Sequence, residues 1–153
     1  MTKTTKVAAV LTTAAMTTAL IAATTASASA TTASASAAGA AAPWWSDPAT
    51  CANPLTAVQR TVSGRVVQVR YGTCGGAQYG WGRILDYTGP EFIRFEVDLN
   101  GDRVADDFST YTAGSRNYTQ AYPTSSSPNR AFRACYVVDP NGTCTAGNST
   151  AWW

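Results

Sequence analysis

The sequence predicts a small all-β protein: a disulfide-stabilised barrel or sandwich of about five to six antiparallel strands behind a disordered N-terminal leader. Three observations carry this. Short apolar segments alternate with polar residues at period two between Gly and Pro turn signals. No segment after residue 43 spaces its apolar residues for an amphipathic helix of useful length. Cysteines stand at 51, 74, 135 and 144, an even set suited to bracing a domain with a modest core.

Residues 1–30 read as a secretion signal, with Lys3 and Lys6 ahead of an apolar stretch from Val7 to Ala23 and then repeated Ala-Ser-Ala sites. Cleavage is favoured between Ala28 and Ala37. Thr12, Thr13, Thr17 and Thr18 interrupt the apolar stretch, and a membrane anchor needs about 20 strongly apolar residues. Residues 31–42 are Ala, Ser and Thr with a single Gly, offer no face to bury, and are expected to be disordered. Residues 43–153 form one domain, since a chain of about 110 residues supports a single core. Both lysines leave with the leader, so nine Arg face nine Asp and Glu and the net charge is zero. That balance argues against nucleic acid, and against a membrane after signal cleavage, because both partners demand an excess of cationic side chains. The expected location is extracellular.

Trp44-Trp45-Ser46-Asp47-Pro48 is turn-prone, and Pro54 to Arg60 is expected to make one helical turn ended by Thr61 to Gly64. Val67, Val69 and Tyr71 then alternate with Gln68 and Arg70 as a half-buried strand. A glycine loop from Gly72 to Gly80 leads into a second strand, Trp81 to Tyr87, completing a first hairpin. Thr88-Gly89-Pro90 turns the chain into Glu91 to Leu99, where Ile93, Phe95 and Val97 oppose Arg94 and Glu96. Asn100-Gly101 is a hairpin signal because a type I′ turn wants positive φ at both central positions, and a fourth strand is expected from Arg103 to Thr112. Ala113 to Arg130, with Gly114, Pro123, Pro128 and a Ser triplet, reads as a long loop. Ala131 to Val138 is a fifth strand, turned by Asp139-Pro140-Asn141-Gly142 toward Cys144 and the terminal Trp152-Trp153.

Four cysteines allow three pairings. Cys51 with Cys74 and Cys135 with Cys144 are favoured, since sequential pairs close short loops worth about 3 kcal/mol each. A metal centre is disfavoured by the absence of His and of any C-x-x-C spacing.

Arg70-Tyr71-Gly72-Thr73-Cys74 followed by Trp81-Gly82-Arg83-Ile84 resembles a group of small secreted actinobacterial proteins of unknown function. Their mark is R-Y-S-x-x-C followed by W-A-R-[IV], with an earlier cysteine upstream. Tyr71, Cys74, Trp81 and Arg83 match by position, while Gly72 and Gly82 replace Ser and Ala and the Cys-to-Trp spacing is longer. The resemblance implies export and a Cys51–Cys74 bridge, and it carries no activity.

Asp98, Asn100, Asp102, Val104 and Asp106 place oxygens at positions 1, 3, 5, 7 and 9 of a tight loop, which resembles the ligand spacing of a structural calcium site. Arg103 stands where such loops carry Gly, and Ser109 where they carry a bidentate Glu, so a plain hairpin with solvated acids is the favoured alternative. No other cofactor is implied. Trp44, Trp45, Trp152 and Trp153 form two pairs near the two ends of the domain. Exposed, they would stack on a ligand such as a sugar face; clasped together, they would cover the core, and this second reading is preferred.

Catalysis lacks parts: no His, no Lys outside the leader, and cysteines expected to be bridged. Asp86, Glu91, Glu96 and Asp107 are the acids available to a glycoside-cleaving pair, and their ordinary reading is solvated charge on strand faces. The sequence thus points to a secreted, non-catalytic binding or interaction module with a cell-wall glycan or an extracellular protein as partner. The alternatives are a secreted protease inhibitor presenting Gly72–Gly80 or Ala113–Arg130 as a braced loop, and a small carboxylate-dependent hydrolase.

Overall fold

The computed structural model describes residues 43–153, and the expected signal and low-complexity segments lie outside them. The fold is all-β, with seven strands in two antiparallel sheets. One sheet has the order β1-β2-β3-β6, built from β1 (Ala52–Val62), β2 (Arg65–Cys74), β3 (Ala77–Leu85) and β6 (Tyr118–Pro123). The other has the order β5-β4-β7, from β4 (Phe92–Asp98), β5 (Asp107–Thr112) and β7 (Ala131–Val137).

The two inner faces meet in a core where Val67, Val69 and Ile84 of the larger sheet pack with Ile93, Phe95, Val97, Phe132 and Ala134 of the smaller. All eight are at most 2 % exposed. Period-two alternation therefore places the core of β2 and β4 as expected, and the arrangement is a sandwich. The sheets approach closely at Gly82, where an added Cβ would lie 3.1 Å from the Cβ of Phe95.

Several elements differ from expectation. Pro54 to Arg60 is part of β1, because Thr56 and Gln59 to Val62 pair in register with β2. The first hairpin closes on Ser63 and Gly64, both at positive φ, as a two-residue primed turn requires. Gly72 to Gly80 is mostly strand, and only Gly75 and Gly76 turn, again at positive φ. The segment expected to be a long loop contains β6, which pairs with β3.

Asn100-Gly101 does not make a two-residue hairpin. Only Gly101 and Arg103 have positive φ there, and β5 begins at Asp107. The reason is Asp98: its buried carboxylate collects the backbone N–H groups of Asn100, Gly101 and Arg103 and holds the chain in a wider loop.

Both ends of the domain are stitched to sheet edges. Trp45 exchanges backbone hydrogen bonds with Ala121 of β6 at 2.8 and 3.0 Å, and Trp153 does the same with Phe132 of β7 at 2.8 Å each. Disulfides join Cys51 to Cys74 and Cys135 to Cys144, and no cysteine is free. Among the described residues no helix is long and apolar enough to cross a membrane.

Candidate functional site

Three of the four acids considered for catalysis are engaged by partners of their own. Glu91 pairs with Arg65 and also meets the Thr88 hydroxyl. Asp107 accepts the Trp44 indole N–H at 3.0 Å. Glu96 is 1 % exposed, with Oε1 taking Arg94 Nε and Oε2 taking Arg133 Nε, both at 2.7 Å. Asp86 has positive φ just beyond β3. No two of the four share a hydrogen-bond partner. Glu91 and Glu96 are buried ion-pair members rather than solvated strand charges, a correction that follows from Arg residues placed across the sheet and between sheets.

In the acidic loop the side-chain oxygens turn onto the loop's own backbone. Asp98 is fully buried and also pairs with the Arg103 guanidinium at 2.8 Å. Asn100 accepts from the Asp102 N–H, Asp102 from the Val104 N–H, and Asp106 from the Leu99 N–H. Val104 is exposed. Burial by itself raises the Asp98 carboxyl, but the N–H of Gly101, the Arg103 guanidinium and the N–H groups of Arg103 and Asn100 outweigh it and hold the pKa below the usual carboxylate value. Among the described residues no group of three or more His, Cys, Asp and Glu is placed to hold a metal ion.

The tryptophans separate. None of the four rings pairs with another of the four; they meet different neighbours. Trp44 sits edge-on to Tyr122 and Phe95 against the core. Trp45 lies over Gly75 and packs on the group formed by Cys51, Cys74, Trp81 and Ala121. Trp152 lies under the Arg133 guanidinium, 4.5 Å from the ring centre. Trp153, 40 % exposed, stacks on Tyr71 with ring centres 5.2 Å apart.

A different site emerges on the outer face of the larger sheet. A cleft of about 210 Å³ is lined by Pro48, Ala49, Pro54, Arg70, Trp81, Arg83, Asn117 and Tyr118. Its position follows from local sequence. Asp47 caps the short turn Pro48–Thr50 through the Ala49 N–H and raises one wall. Arg70 of β2 lies opposite Trp81 of β3, and Arg83 lies two residues further along on the same face.

The cleft's charge is not neutralised within the protein. Neither Arg70 nor Arg83 forms an ion pair among the described residues, whose ion pairs use Arg65, Arg94, Arg103 and Arg133. Arg70 donates Nη2 to the Pro54 carbonyl at 3.0 Å, while its buried Nε has no partner. Burial, and then the charge of Arg83, draw the Arg70 pKa below its ordinary value. At the rim, burial and the neighbouring Asp47 push the Tyr118 phenol up, and Arg116 stacks on the same ring at 4.5 Å. The arrangement can bind and orient an anion; it holds no acid and base pair for bond cleavage.

The expected list of site residues did not contain this cleft. Its outward residues Arg70, Trp81 and Arg83 belong to the stretch whose motif prompted the family resemblance, but a lone arginine on a strand face reads as solvated charge until its surroundings are known. In comparison with known proteins, no family model matches the chain, and neither a curated protein nor a solved structure matches it.

Proposed function

We propose that the protein is an exported, non-catalytic binding module that works outside the cell or at a cell surface and holds an anionic group of its partner between Arg70 and Arg83. One observation carries the reading: two guanidinium groups line one cleft with no carboxylate paired to either among the described residues. Unneutralised charge against the apolar walls of Pro48, Pro54 and Trp81 is costly in the free protein and interacts strongly with an opposite charge that enters. The bridged cysteines fit an oxidising compartment. The partner best suited to such a site is an extracellular glycan carrying anionic groups. Nucleic acid is a poorer partner, because it needs a track of phosphate contacts and the cleft holds about one group.

The catalytic and inhibitory alternatives have no such observation behind them. Glu91, Glu96 and Asp107 are committed to Arg65, to Arg94 and Arg133, and to Trp44, and of the two loops considered for a protease cleft Gly72–Gly80 is mostly strand while Ala113–Arg130 contains β6.

Retention of the purified protein on immobilised polygalacturonate, phosphocellulose and neutral dextran at fixed ionic strength tests the reading. Residues 43–153 carry no net charge, so retention must come from a local patch. Retention on an anionic matrix that Arg83→Gln removes is the expected result. Passage through every matrix, or retention that Arg83→Gln leaves intact, overturns it.

A further inference from the structure

We infer that the Arg70–Arg83 cleft selects a doubly charged tetrahedral oxyanion, the chemistry of sulfate and of phosphate monoesters, over a monocarboxylate. The inference rests on the reading of this cleft as a binding site and adds the identity of the group bound.

The first argument is charge. Two guanidinium groups line a space of about 210 Å³. A monocarboxylate would neutralise one and leave the other uncompensated; a dianion matches both.

The second argument is donor geometry. The Arg83 side chain makes no hydrogen bond or ion pair to any described residue, so its whole fork is available. Arg70 Nε is buried without a partner. Asn117 and Tyr118 line another part of the same space, with the Tyr118 hydroxyl beside Asp47. Donors spread around a small cavity suit an anion that accepts in several directions, whereas a carboxylate accepts in one plane. The walls of Pro48, Ala49, Pro54 and Trp81 exclude water from part of it and strengthen these bonds. On the remaining side the charged groups are Asp47, which accepts from the Ala49 N–H and faces the Tyr118 hydroxyl, and Arg116, stacked on Tyr118.

Amide-resolved NMR titration of the protein with sodium phosphate, sodium sulfate and sodium acetate, at constant ionic strength set with chloride, tests this. Phosphate and sulfate are expected to give saturable shifts centred on Arg70, Trp81 and Arg83, and acetate none at ten times their concentration. Phosphate affinity should rise between about pH 5.5 and about pH 8 as the inorganic phosphate monoanion gives way to the dianion, while sulfate affinity stays level. Arg83→Gln, which removes no side-chain hydrogen bond or ion pair among the described residues, should weaken both roughly tenfold or more, the effect of losing charge-assisted hydrogen bonds. Phosphocellulose, competed by inorganic phosphate, separates the sources: far tighter binding than the free ion identifies a polymer-borne phosphate, and equal binding identifies the free ion.

Acetate binding as tightly as phosphate, shifts away from the cleft, or unchanged affinity in Arg83→Gln would each overturn the inference. If polygalacturonate is retained through Arg83 while phosphate and sulfate do not bind, the choice of oxyanion falls and the cleft stands as a binding site. If nothing anionic binds, both fall.

Discussion

Glu96 of β4 lies directly opposite Arg133 of β7, and its Oε2 accepts the Arg133 Nε–H at 2.7 Å from a position only 1 % exposed. Oε1 takes Arg94 and, at 3.2 Å, the Cys144 N–H, so one carboxylate ties two strands to the segment carrying the second disulfide. Arg94 in turn lies 3.6 Å from the Phe108 ring centre, and Arg133 lies over Trp152. The outer face of the smaller sheet is thereby held by a closed ionic network under aromatic cover.

Glu96→Gln leaves two guanidinium groups without their carboxylate in a buried setting, where breaking such a group costs about 3–5 kcal/mol. Urea denaturation of the variant should show a loss of that order at an unchanged m-value. A loss below about 1 kcal/mol would place the network in the class of exposed ion pairs.

Acid should destabilise the fold. The Arg65 guanidinium holds the Glu91 carboxyl below its ordinary value, and the loop's N–H groups together with Arg103 do the same for Asp98 against its burial. Both groups have folded pKa values below their unfolded ones, near 4.3 for Glu and 3.9 for Asp. Their contribution is complete above about pH 5 and fades as the pH falls through the folded-state pKa values. Melting temperatures recorded downward from neutral pH should decline in that acidic window, and Asp98→Asn should flatten the decline. An Asp98→Asn curve parallel to the unaltered one would contradict the assignment.

The acidic loop closes on its own N–H groups and Arg103, an arrangement complete without a cation. Neither calcium at millimolar concentration nor a chelator should move the melting temperature. A ligand bound only to the folded state must raise it, so a calcium-dependent rise would restore the metal reading of Asp98, Asn100, Asp102, Val104 and Asp106.

Removal of the Cys51–Cys74 bridge, which spans 23 residues, should cost roughly 3 kcal/mol, and somewhat more than removal of Cys135–Cys144, which spans 9. Paired Cys→Ala variants compared by chemical denaturation check the order. The reverse order would show that packing of Val137 and Phe92 around Cys135–Cys144 outweighs loop entropy.

The strands β2 and β4 were legible because apolar residues recur at every second position, Val67, Val69 and Tyr71 in one and Ile93, Phe95 and Val97 in the other, with polar residues between them. β1 was not, since its pairing shifts register twice, around Asn53-Pro54 and at Ala57, and most of it is exposed. Gly72 and Gly80 read as loop residues although they lie in strands. Each is a close-approach position where a Cβ would meet the Ala52 carbonyl or Phe132 at 2.9 and 3.2 Å, and nothing local distinguishes that use of Gly from a turn. The site was less legible than the fold. That Arg70 and Arg83 go unneutralised while Arg65, Arg94 and Arg133 are paired depends on which strands become neighbours, information no short window holds.

The most direct test of the cleft as the binding site is a charge-matched comparison on one anionic polymer. Arg83→Gln and Arg130→Gln each remove one positive charge, and Arg130, which donates to the Pro123 carbonyl, does not line the cleft. Binding to phosphocellulose at fixed ionic strength should be lost in Arg83→Gln and kept in Arg130→Gln. Equal weakening in both variants, or in neither, would contradict the account.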